Sequence, residues 1–521
     1  MRTKRSIRAR WWAMVPAASL AAALVAGGGL APQAGATPAP SYSPAAAPVP
    51  SGAGTGASAG GTISAVTCPA AGTCLAVGTY RTSTGGHAPL AVRYADGSWT
   101  DLPLPAAPGA LTGATASGSL AAISCWAPDE CVAVGEYSGS TSGHPRLPLV
   151  MELSAARWTA LRAPEPSTAG TGTHQYASLY SVSCPAAGVC ASVGTYENTQ
   201  GGSEGLVETL TAGTWAPTAV PGPTGAKTGA TSDVYLASVS CSSTAACEAV
   251  GYYQLAANGY PGLIDTFDGT TWTPTEAPQP AGAATAATKI TFTLTSVACP
   301  AVGSCVAVGQ FHDVTGTGHA QGLVEVLSGG TWTSATLPVP ATAGTGTDQF
   351  AELYGVSCPA AGSCAAVGRY KNTKGDTQGL IGVLSGTTWI GLASPLPSNA
   401  GTVTTVYSNL DAVTCPLPGA CTAVGTSGGH YHGLIDTLSE GAWTATAAPE
   451  PSTAGAGAHQ DASLGSVACS GATCAAGGYF DNAAGGSAGL LETTGTAPSG
   501  YFEAASDGGI FSFTAPFHGS M

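Results

Sequence analysis

The stretch "SVSCPAAGVCASVGTY", residues 181–196, decides the fold because near copies of it recur along the chain. Each copy places two cysteines around a few small residues and continues into an alternating apolar run. Runs of this kind, bounded by Gly, Pro and Ser, predict a hairpin of two short strands. Aligned on the first cysteine, the copies lie 54 to 59 residues apart. An internal repeat at such a period determines the architecture more directly than chain length does.

Every repeat has the same order of elements. The hairpin is followed by a polar Gly-rich loop, a third strand such as "GLVETL", a tight turn and a short fourth strand with a tryptophan. Four antiparallel strands repeated around a ring predict an all-β fold, a β-propeller of eight four-stranded blades. The eighth repeat has no such tryptophan, so seven blades plus a partial one is the alternative. Separate small disulfide domains are a second alternative, although each repeat has too few apolar residues to form its own core.

Closure of the ring is the open point of this prediction. The segment before Cys68 contains no Trp strand. We therefore expect the outer strand of the last blade to be missing or to come from the tail near "GYFEAAS". The seven tryptophans that mark the other fourth strands are Trp99, Trp158, Trp215, Trp272, Trp332, Trp389 and Trp443.

The turn before the tryptophan carries a family resemblance. In "FDGTTW", Phe267 to Trp272, it resembles the Asp-box of sialidase-like propellers, and the A-V-G-x-Y…W layout is similar to kelch-type blades. The resemblance covers about residues 62–495 and implies the propeller fold. It implies no single function, because such families include enzymes, lectins and scaffolds. A sialidase needs a cluster of three arginines, and the six arginines after the leader occupy unrelated blade positions, so that activity is not carried over.

The ends of the chain differ in composition from the repeats. Residues 1–36 combine five basic residues, an apolar run and an A-G-A site, which predicts a signal peptide; an uncleaved membrane anchor is the alternative. Residues 37–61 are rich in Gly, Ala and Pro and are predicted to be a disordered linker. Residues 62–495 form the propeller of eight repeats of about 57 residues. The tail, 496–521, resembles one copy of a Gly/aromatic repeat found beside exported actinobacterial domains.

Charge narrows the range of partners. Without the leader the chain has 10 basic and 29 acidic residues. Such an excess of negative charge disfavours binding to nucleic acid or to an anionic membrane. We expect a monomeric protein that is secreted or associated with the cell wall and that does not contact the membrane once the leader is removed.

The cysteines follow the hairpins. An even number of cysteines in an exported chain predicts disulfides, and opposed positions on adjacent antiparallel strands are close enough to form them. Each closed loop of about seven residues would stabilise its hairpin by roughly 2 kcal/mol. A zinc or redox role is the alternative, but no further ligand recurs beside the pairs. The predicted bonds join Cys68 to Cys74, Cys125 to Cys131, Cys184 to Cys190, Cys241 to Cys247, Cys299 to Cys305, Cys358 to Cys364, Cys415 to Cys421, and Cys469 to Cys474.

Binding residues are sought on the face that carries the long loops and the linkers between blades, since binding sites are often built on variable loops over a rigid scaffold. Three related linkers, "AGTGTHQYA", "AGTGTDQFA" and "AGAGAHQDA", end next to the innermost strands. Their polar side chains are the candidate ligand-binding residues; loop capping is the alternative, and we predict no metal and no cofactor. The candidates are His174, Gln175, Asp348, Gln349, His459 and Gln460.

A recurring acid on the third strand is interpreted as structural, because an acid at one radius in every blade does not provide two carboxylates facing one substrate. The acids are Glu152, Glu208, Asp265, Glu325, Asp436 and Glu492, with Arg93 and Gly382 in the other two blades. No catalytic motif is present. The sequence therefore favours a non-catalytic module that binds an extracellular glycan or protein. The alternatives are a glycan-active hydrolase or lyase at the channel mouth, and a purely structural surface protein.

Overall fold

A computed structural model gives the fold. It describes residues 40–141, 143–172, 175–284, 291–313, 319–345, 349–397, 407–428, 431–456 and 461–494, with two short pieces at 502–504 and 510–512. The predicted signal peptide, residues 1–36, and most of the tail lie outside these residues. No helix in the described part is long and apolar enough to cross a membrane.

Eight four-stranded antiparallel sheets follow one another around a ring, which confirms the β-propeller of eight blades. The first strand of each blade contacts the first strand of the next, so these strands surround the central channel. Each blade carries one cysteine pair. Apolar clusters fill the spaces between neighbouring blades, which is where the core of a propeller lies.

The strands of the first four blades, in order from the channel outward, have the following bounds. Blade 1 has β2 Gly61–Ala70, β3 Thr73–Arg81, β4 His87–Ala95 and β5 Ser98–Asp101; blade 2 has β6 Gly118–Ala127, β7 Glu130–Ser138, β8 Arg146–Ser154 and β9 Arg157–Arg162; blade 3 has β10 Ala177–Ala186, β11 Val189–Glu197, β12 Ser203–Thr211 and β13 Thr214–Val220; blade 4 has β14 Val234–Ser243, β15 Ala246–Tyr253, β16 Gly262–Phe267 and β17 Trp272–Glu276.

The remaining blades repeat this order. Blade 5 has β18 Phe292–Ala301, β19 Ser304–His312, β20 Ala320–Ser328 and β21 Thr331–Thr336; blade 6 has β22 Ala351–Ala360, β23 Ser363–Lys371, β24 Thr377–Ser385 and β25 Thr388–Ala393; blade 7 has β26 Ser408–Leu417, β27 Ala420–Ser427, β28 His432–Ser439 and β29 Ala442–Ala447; blade 8 has β30 Ala462–Ser470, β31 Thr473–Asp481, β32 Ser487–Thr494 and, as its fourth strand, β1 Tyr42–Ala46.

The ring closes through the N-terminal strand β1, which corrects two expectations. Tyr42 pairs with Thr494 and takes the place of the missing tryptophan, so the fourth strand is neither absent nor supplied by the tail. The stretch 37–61, expected to be a disordered linker, holds this strand and a 3-10 turn at Gly56–Ser58. The physical reason is that β32 would otherwise present an open sheet edge. In the tail, β33 (Phe502–Ala504) pairs with β34 (Ile510–Ser512), and among the described residues neither strand joins the sheet of blade 8.

Cross-strand disulfides pin the inner hairpins. All eight predicted neighbour-to-neighbour pairs are formed, with Cα–Cα distances of 3.9 to 4.1 Å, and no free cysteine is present among the described residues. Serine hydroxyls then join one inner strand to the next. The Ser183 hydroxyl accepts a hydrogen bond from the backbone N–H of Cys241, and Ser466 of blade 8 accepts one from Val66 of blade 1. Bonds of this kind satisfy backbone donors at the channel edge of the sheets in blades 1, 3, 4, 5 and 7.

The glycine of the repeated A-V-G motif is required by a close backbone approach. A Cβ atom at this position would lie 1.8 to 2.1 Å from a carbonyl oxygen of the first strand, so no other residue fits. The first strand has a β-bulge opposite the glycine, directly after a leucine in seven blades and after Ile63 in blade 1. The eight glycines are Gly78, Gly135, Gly194, Gly251, Gly309, Gly368, Gly425 and Gly478.

Candidate functional site

The bulge residue of each first strand is left out of the ladder, and a bulge re-aims the side chain that it carries. The bulge lies in the half of the first strand nearer to its entry from the linker, which is the end that carries the long loops. Six bulges hold small side chains or an aspartate, and two hold tyrosine. In blade order the residues are Ser64, Ala121, Tyr180, Ala237, Thr295, Tyr354, Asp411 and Gly465.

Five tyrosines of blades 3 and 4 form a continuous cluster at this end of the inner strands, which we call the tyrosine arc: Tyr176, Tyr180, Tyr235, Tyr252 and Tyr260. The rings of Tyr180 and Tyr235 lie 5.0 Å apart, and those of Tyr235 and Tyr252 are stacked at 5.3 Å. Tyr260 meets Tyr252 edge-on at 6.0 Å, and the Tyr176 and Tyr180 hydroxyls are 3.5 Å apart. All five side chains are half-buried. Rings held in this way present a rigid surface with an apolar body and polar edges.

A cavity of about 350 Å³ lies beside the arc, between blades 2 and 3. Its wall includes Tyr176, Tyr180 and the ion pair of Arg146 with Glu136, whose Nη1 and Oε1 atoms are 2.9 Å apart. The Arg146 guanidinium lies over the Tyr176 ring, 5.6 Å from its centre. The size of this cavity falls within the range of small-molecule sites, and its wall combines the two tyrosine rings with serine, glutamate and arginine side chains.

Three hydroxyls of the arc remain protonated at neutral pH. Burial raises the pKa of Tyr180, Tyr235 and Tyr252 above the usual value of a phenol. A neutral phenol both donates and accepts hydrogen bonds. These three tyrosines therefore offer hydroxyl groups and ring surface without carrying charge.

A second cluster occupies blade 6. Arg369 lies over Phe350 at 5.4 Å and over Tyr354 at 5.7 Å, measured to the ring centres. Its Nη2 atom is 2.8 Å from Oε2 of Glu352, and the Tyr354 hydroxyl donates to the same oxygen at 2.6 Å. Asp411 of blade 7 lies nearby, and burial raises the pKa of its carboxyl to about 6.

Two of the six predicted binding residues fall within the described part of the chain. Gln175 donates to Glu165 at 3.5 Å, in the linker where Glu165 also pairs with Arg162. Gln349 is half-buried and directly precedes Phe350. His174, Asp348, His459 and Gln460 lie outside the described residues, and a ligand-binding role for all six stays a prediction.

Sequence analysis missed the aromatic residues that follow these glutamines and those at the bulges. A signal was present in the repeat itself. The position after the conserved leucine holds Ser, Ala, Thr, Asp or Gly in six blades, so two tyrosines there are conspicuous. The sequence does not show that this position is a bulge, because the bulge arises from pairing with the neighbouring strand.

The recurring acids do not belong to this site. Five are fully buried within the ring, and burial raises the pKa of each carboxyl. The values are about 9 for Glu208, about 7 for Asp265, about 8 for Glu325, about 7 for Asp436 and about 9 for Glu492.

The predicted alignment of these acids is out of register by one residue in blades 1 and 2. Met151, not Glu152, pairs with the second strand as Glu208 does, and Val92 is the equivalent in blade 1. Periodicity did not reveal the shift because both neighbouring positions lie in an apolar run. Glu152 instead accepts a hydrogen bond from the indole N–H of Trp215 in blade 3, at 2.7 Å.

The third-strand position at which the acids recur faces the linker that enters its blade, and in blades 6 and 7 the sizes of the two facing side chains are complementary. In blade 6 a Cβ atom on Gly382 would lie 2.8 Å from Cδ1 of Leu337, and in blade 7 the Ser394 hydroxyl donates to Asp436 at 2.6 Å. Three of the glutamates, Glu208, Glu325 and Glu492, occur with an alanine in the linker, whereas blade 2 has two long side chains at this pair. The equivalent pairs, linker residue first, are Ala47 and Val92, Leu104 and Met151, Ala163 and Glu208, Val220 and Asp265, Ala277 and Glu325, Leu337 and Gly382, Ser394 and Asp436, and Ala448 and Glu492.

Comparison with known proteins adds little to this description. No protein-family model and no curated protein matches the chain. Among solved structures it is similar to the Hadza microbial sialidase Hz136, with 10% identity and a TM-score of 0.35 over 69% of this chain and 73% of that chain. It is also similar to a puromycin-hydrolysing peptidase of Mycobacterium tuberculosis, with 10% identity and a TM-score of 0.43 over 83% of this chain and 62% of that chain.

A third similar structure is the β-propeller domain of the Trilobed protease from Pyrococcus furiosus, with 8% identity and a TM-score of 0.37 over 68% of this chain and 89% of that chain. Similarity this low carries no argument about activity. Among the described residues, no group of three or more His, Cys, Asp or Glu side chains is arranged to hold a metal ion. What the structure establishes is an eight-bladed, disulfide-pinned β-propeller with an aromatic surface on its long-loop end.

Proposed function

We propose that the protein is a non-catalytic binding module that recognises an extracellular glycan through the tyrosine arc. The observation that carries the proposal is the arc itself, five half-buried tyrosines in contact across two blades beside a cavity of about 350 Å³. Tyrosines bind through ring surface and hydroxyl at a low cost in side-chain entropy. A sugar ring presents the matching combination of C–H faces and hydroxyl groups.

Charge favours a neutral glycan over an acidic one. Residues 40–494 contain 27 acidic and 10 basic residues, so a polyanion approaches an unfavourable field. The arginines of the two aromatic clusters, Arg146 and Arg369, are each paired with a glutamate. Their charge is therefore already compensated and does not provide a free anion site.

Chemistry at the cavity favours binding without turnover. Glycoside hydrolysis normally needs two carboxyl groups facing the scissile bond. Among the nine described residues that line the cavity, Glu136 is the one carboxylate, and it is engaged by Arg146. We therefore assign no catalytic role to it.

The test is a glycan array probed with the labelled protein lacking residues 1–36, together with the variant Tyr235→Ser. Serine occupies the equivalent position in blades 2, 3 and 8, as Ser119, Ser178 and Ser463, so the fold should tolerate it. Loss of the central ring of the arc should weaken binding at least about tenfold, as expected for an aromatic hot spot. Array signals for neutral sugars that fall in the variant would support the proposal.

Three results would overturn it. The first is an array with no bound sugar, and the second is sugar binding that Tyr235→Ser leaves unchanged. The third is capture of a cell-surface protein that survives enzymatic removal of its glycans, which would make the ligand a protein.

A further inference from the structure

We propose that blade 6 holds a second binding site for the same neutral glycan class, built on the same repeat positions as the site at blade 3. The inference rests on the proposed function, because it takes its ligand class from the tyrosine arc. What is new is the number of sites, and with it the valency of the protein.

The first argument is positional. Tyr180 and Tyr354 are both bulge residues, each directly after the conserved leucine of its first strand. Of the eight bulges these two alone carry an aromatic ring. Tyr176 and Phe350 are also equivalent, since each follows a glutamine and directly precedes the first strand. Two aromatic side chains are thus brought to the same end of the inner strands in blades 3 and 6.

The second argument is that the same contacts recur around these rings from different residues. At blade 3, Arg146 comes from the third strand of blade 2, lies 5.6 Å from the centre of the Tyr176 ring and pairs with Glu136. At blade 6, Arg369 comes from the second strand of the same blade, lies 5.4 Å from the centre of the Phe350 ring and pairs with Glu352. Simple copying of one repeat would place the arginine on the same strand in both. The same arrangement, a guanidinium held over an aromatic ring by a carboxylate, is therefore built from residues at non-equivalent repeat positions in the two blades.

Both arginines keep part of their side chain in contact with solvent, at 48% for Arg146 and 33% for Arg369. Each ion pair is fixed by the ring below it and presents hydrogen-bonding groups at the edge of the cluster. A sugar hydroxyl can donate to the carboxylate and accept from the guanidinium. The neutral pair thus suits a polyhydroxylated ligand at both blades.

Blade 8 shows that the related linker alone does not make a site. Its linker "AGAGAHQDA" resembles the other two, but Asp461 stands at the aromatic position and Gly465 at the bulge. Asp461 accepts a hydrogen bond from the backbone N–H of Tyr431 at 3.3 Å, which is a contact within the loops. The repeat therefore predicts two sites and not three.

Two sites on one rigid ring make the protein bivalent. A bivalent module gains avidity on a surface that displays many copies of the glycan and can join two chains. A monovalent module binds the same surface with the affinity of a single site.

The experiment counts the sites directly. Native mass spectrometry and calorimetry would be run on the protein lacking residues 1–36 with oligomers of two to six units of glucose, mannose, galactose and N-acetylglucosamine. The variants are Tyr180→Ala, Tyr354→Ala and the double variant, with Ser64→Ala in blade 1 as the bulge control. Blades 2 and 4 carry Ala121 and Ala237 at the same bulge, so alanine is compatible with the local backbone.

Two bound oligomers per wild-type chain, one in each single variant and none in the double variant are expected, with Ser64→Ala unchanged. One bound oligomer, lost in Tyr180→Ala and unaffected by Tyr354→Ala, would overturn the second site while leaving the proposed function in place. No bound oligomer in the wild type would overturn the proposed function itself. Near-ultraviolet circular dichroism of each variant checks that a loss of binding is not a loss of fold.

Discussion

Size matching between linker and third strand can be tested by moving the pair of one blade into another. In blade 6, Leu337 is 1% exposed and its Cδ1 atom would lie 2.8 Å from a Cβ atom on Gly382. In blade 1 the equivalent pair is Ala47 with Val92, so there the linker residue is the small one and the strand residue is the larger one. The double variant Leu337→Ala/Gly382→Val gives blade 6 the pair of blade 1.

The magnitudes follow from the contacts. Leu337→Ala alone removes a buried side chain and should lower the free energy of unfolding by about 3 kcal/mol. Gly382→Val alone forces a branched side chain against Leu337 and should cost about 2 kcal/mol. Together the two changes refill the same space, so the double variant should lose about 2 kcal/mol instead of about 5.

The assay is equilibrium urea unfolding with the disulfides intact, followed by tryptophan fluorescence. Hydrogen exchange of blade 6 amides locates the change, since a repeat architecture can open blade by blade. As a control, Leu337→Ala combined with Val220→Ala, at the equivalent linker position between blades 3 and 4, should be additive. If Leu337→Ala and Gly382→Val are also additive, the size-matching argument is refuted.

Three further predictions concern single positions. Glu492→Gln should become more stable relative to the wild type as the pH rises from 5 to 9. Burial raises the pKa of Glu492 to about 9, so the folded wild type holds a proton that the unfolded chain releases above about pH 4.5. Urea midpoints that differ equally at pH 5, 7 and 9 would contradict this. Val326→Thr should raise the free energy of unfolding by about 1 kcal/mol in the same assay, because the buried indole N–H of Trp389 has no hydrogen-bond partner. At the position equivalent to Val326, Thr209 accepts a hydrogen bond from the indole N–H of Trp272. An unchanged free energy of unfolding would count against this argument. Gly251→Ala should destabilise blade 4 and abolish sugar binding at the arc, because the alanine Cβ atom would lie 1.8 Å from the carbonyl oxygen of Tyr235. Thermal unfolding measures the first effect and the glycan array the second, and wild-type values in both would rule the argument out.

Local sequence was sufficient for much of the fold. Period, strand number and cysteine spacing depend on residues within one repeat, so the eight blades and the eight disulfides could be predicted. The fourth strand of blade 8 could not, because Tyr42 pairs with Thr494 across almost the whole chain. The amino-acid sequence did contain one signal for this strand. The segment "APVPSGA", residues 47–53, resembles "APEPSTA", residues 163–169, which directly follows the fourth strand of blade 2.

The sequence prediction and the proposed site lie at the same end of the propeller but rest on different residues. The linkers that contain Gln175 and Gln349 were identified, but the rings beside them were not. Linker composition is visible in the sequence, whereas contacts such as that between Tyr180 and Tyr235 join residues of neighbouring blades. The one-residue shift between Met151 and Glu152 has a different cause, since the register is set by pairing within blade 2 and both positions lie in an apolar run.

The sequence by itself determined the repeat, the all-β class and the disulfide pairing, because each of these is fixed by spacing within about 60 residues. The tertiary structure decided how the ring closes and which side chains meet at the channel mouth. Closure depends on the third strand of the last blade, because it is the one third strand among the eight sheets that pairs with a fourth strand from the other end of the chain. The aromatic rings meet because the first strands carry a bulge, which the close approach of two backbones at Gly194 and Gly368 imposes. The bulge takes Tyr180 and Tyr354 out of the ladder and redirects their side chains.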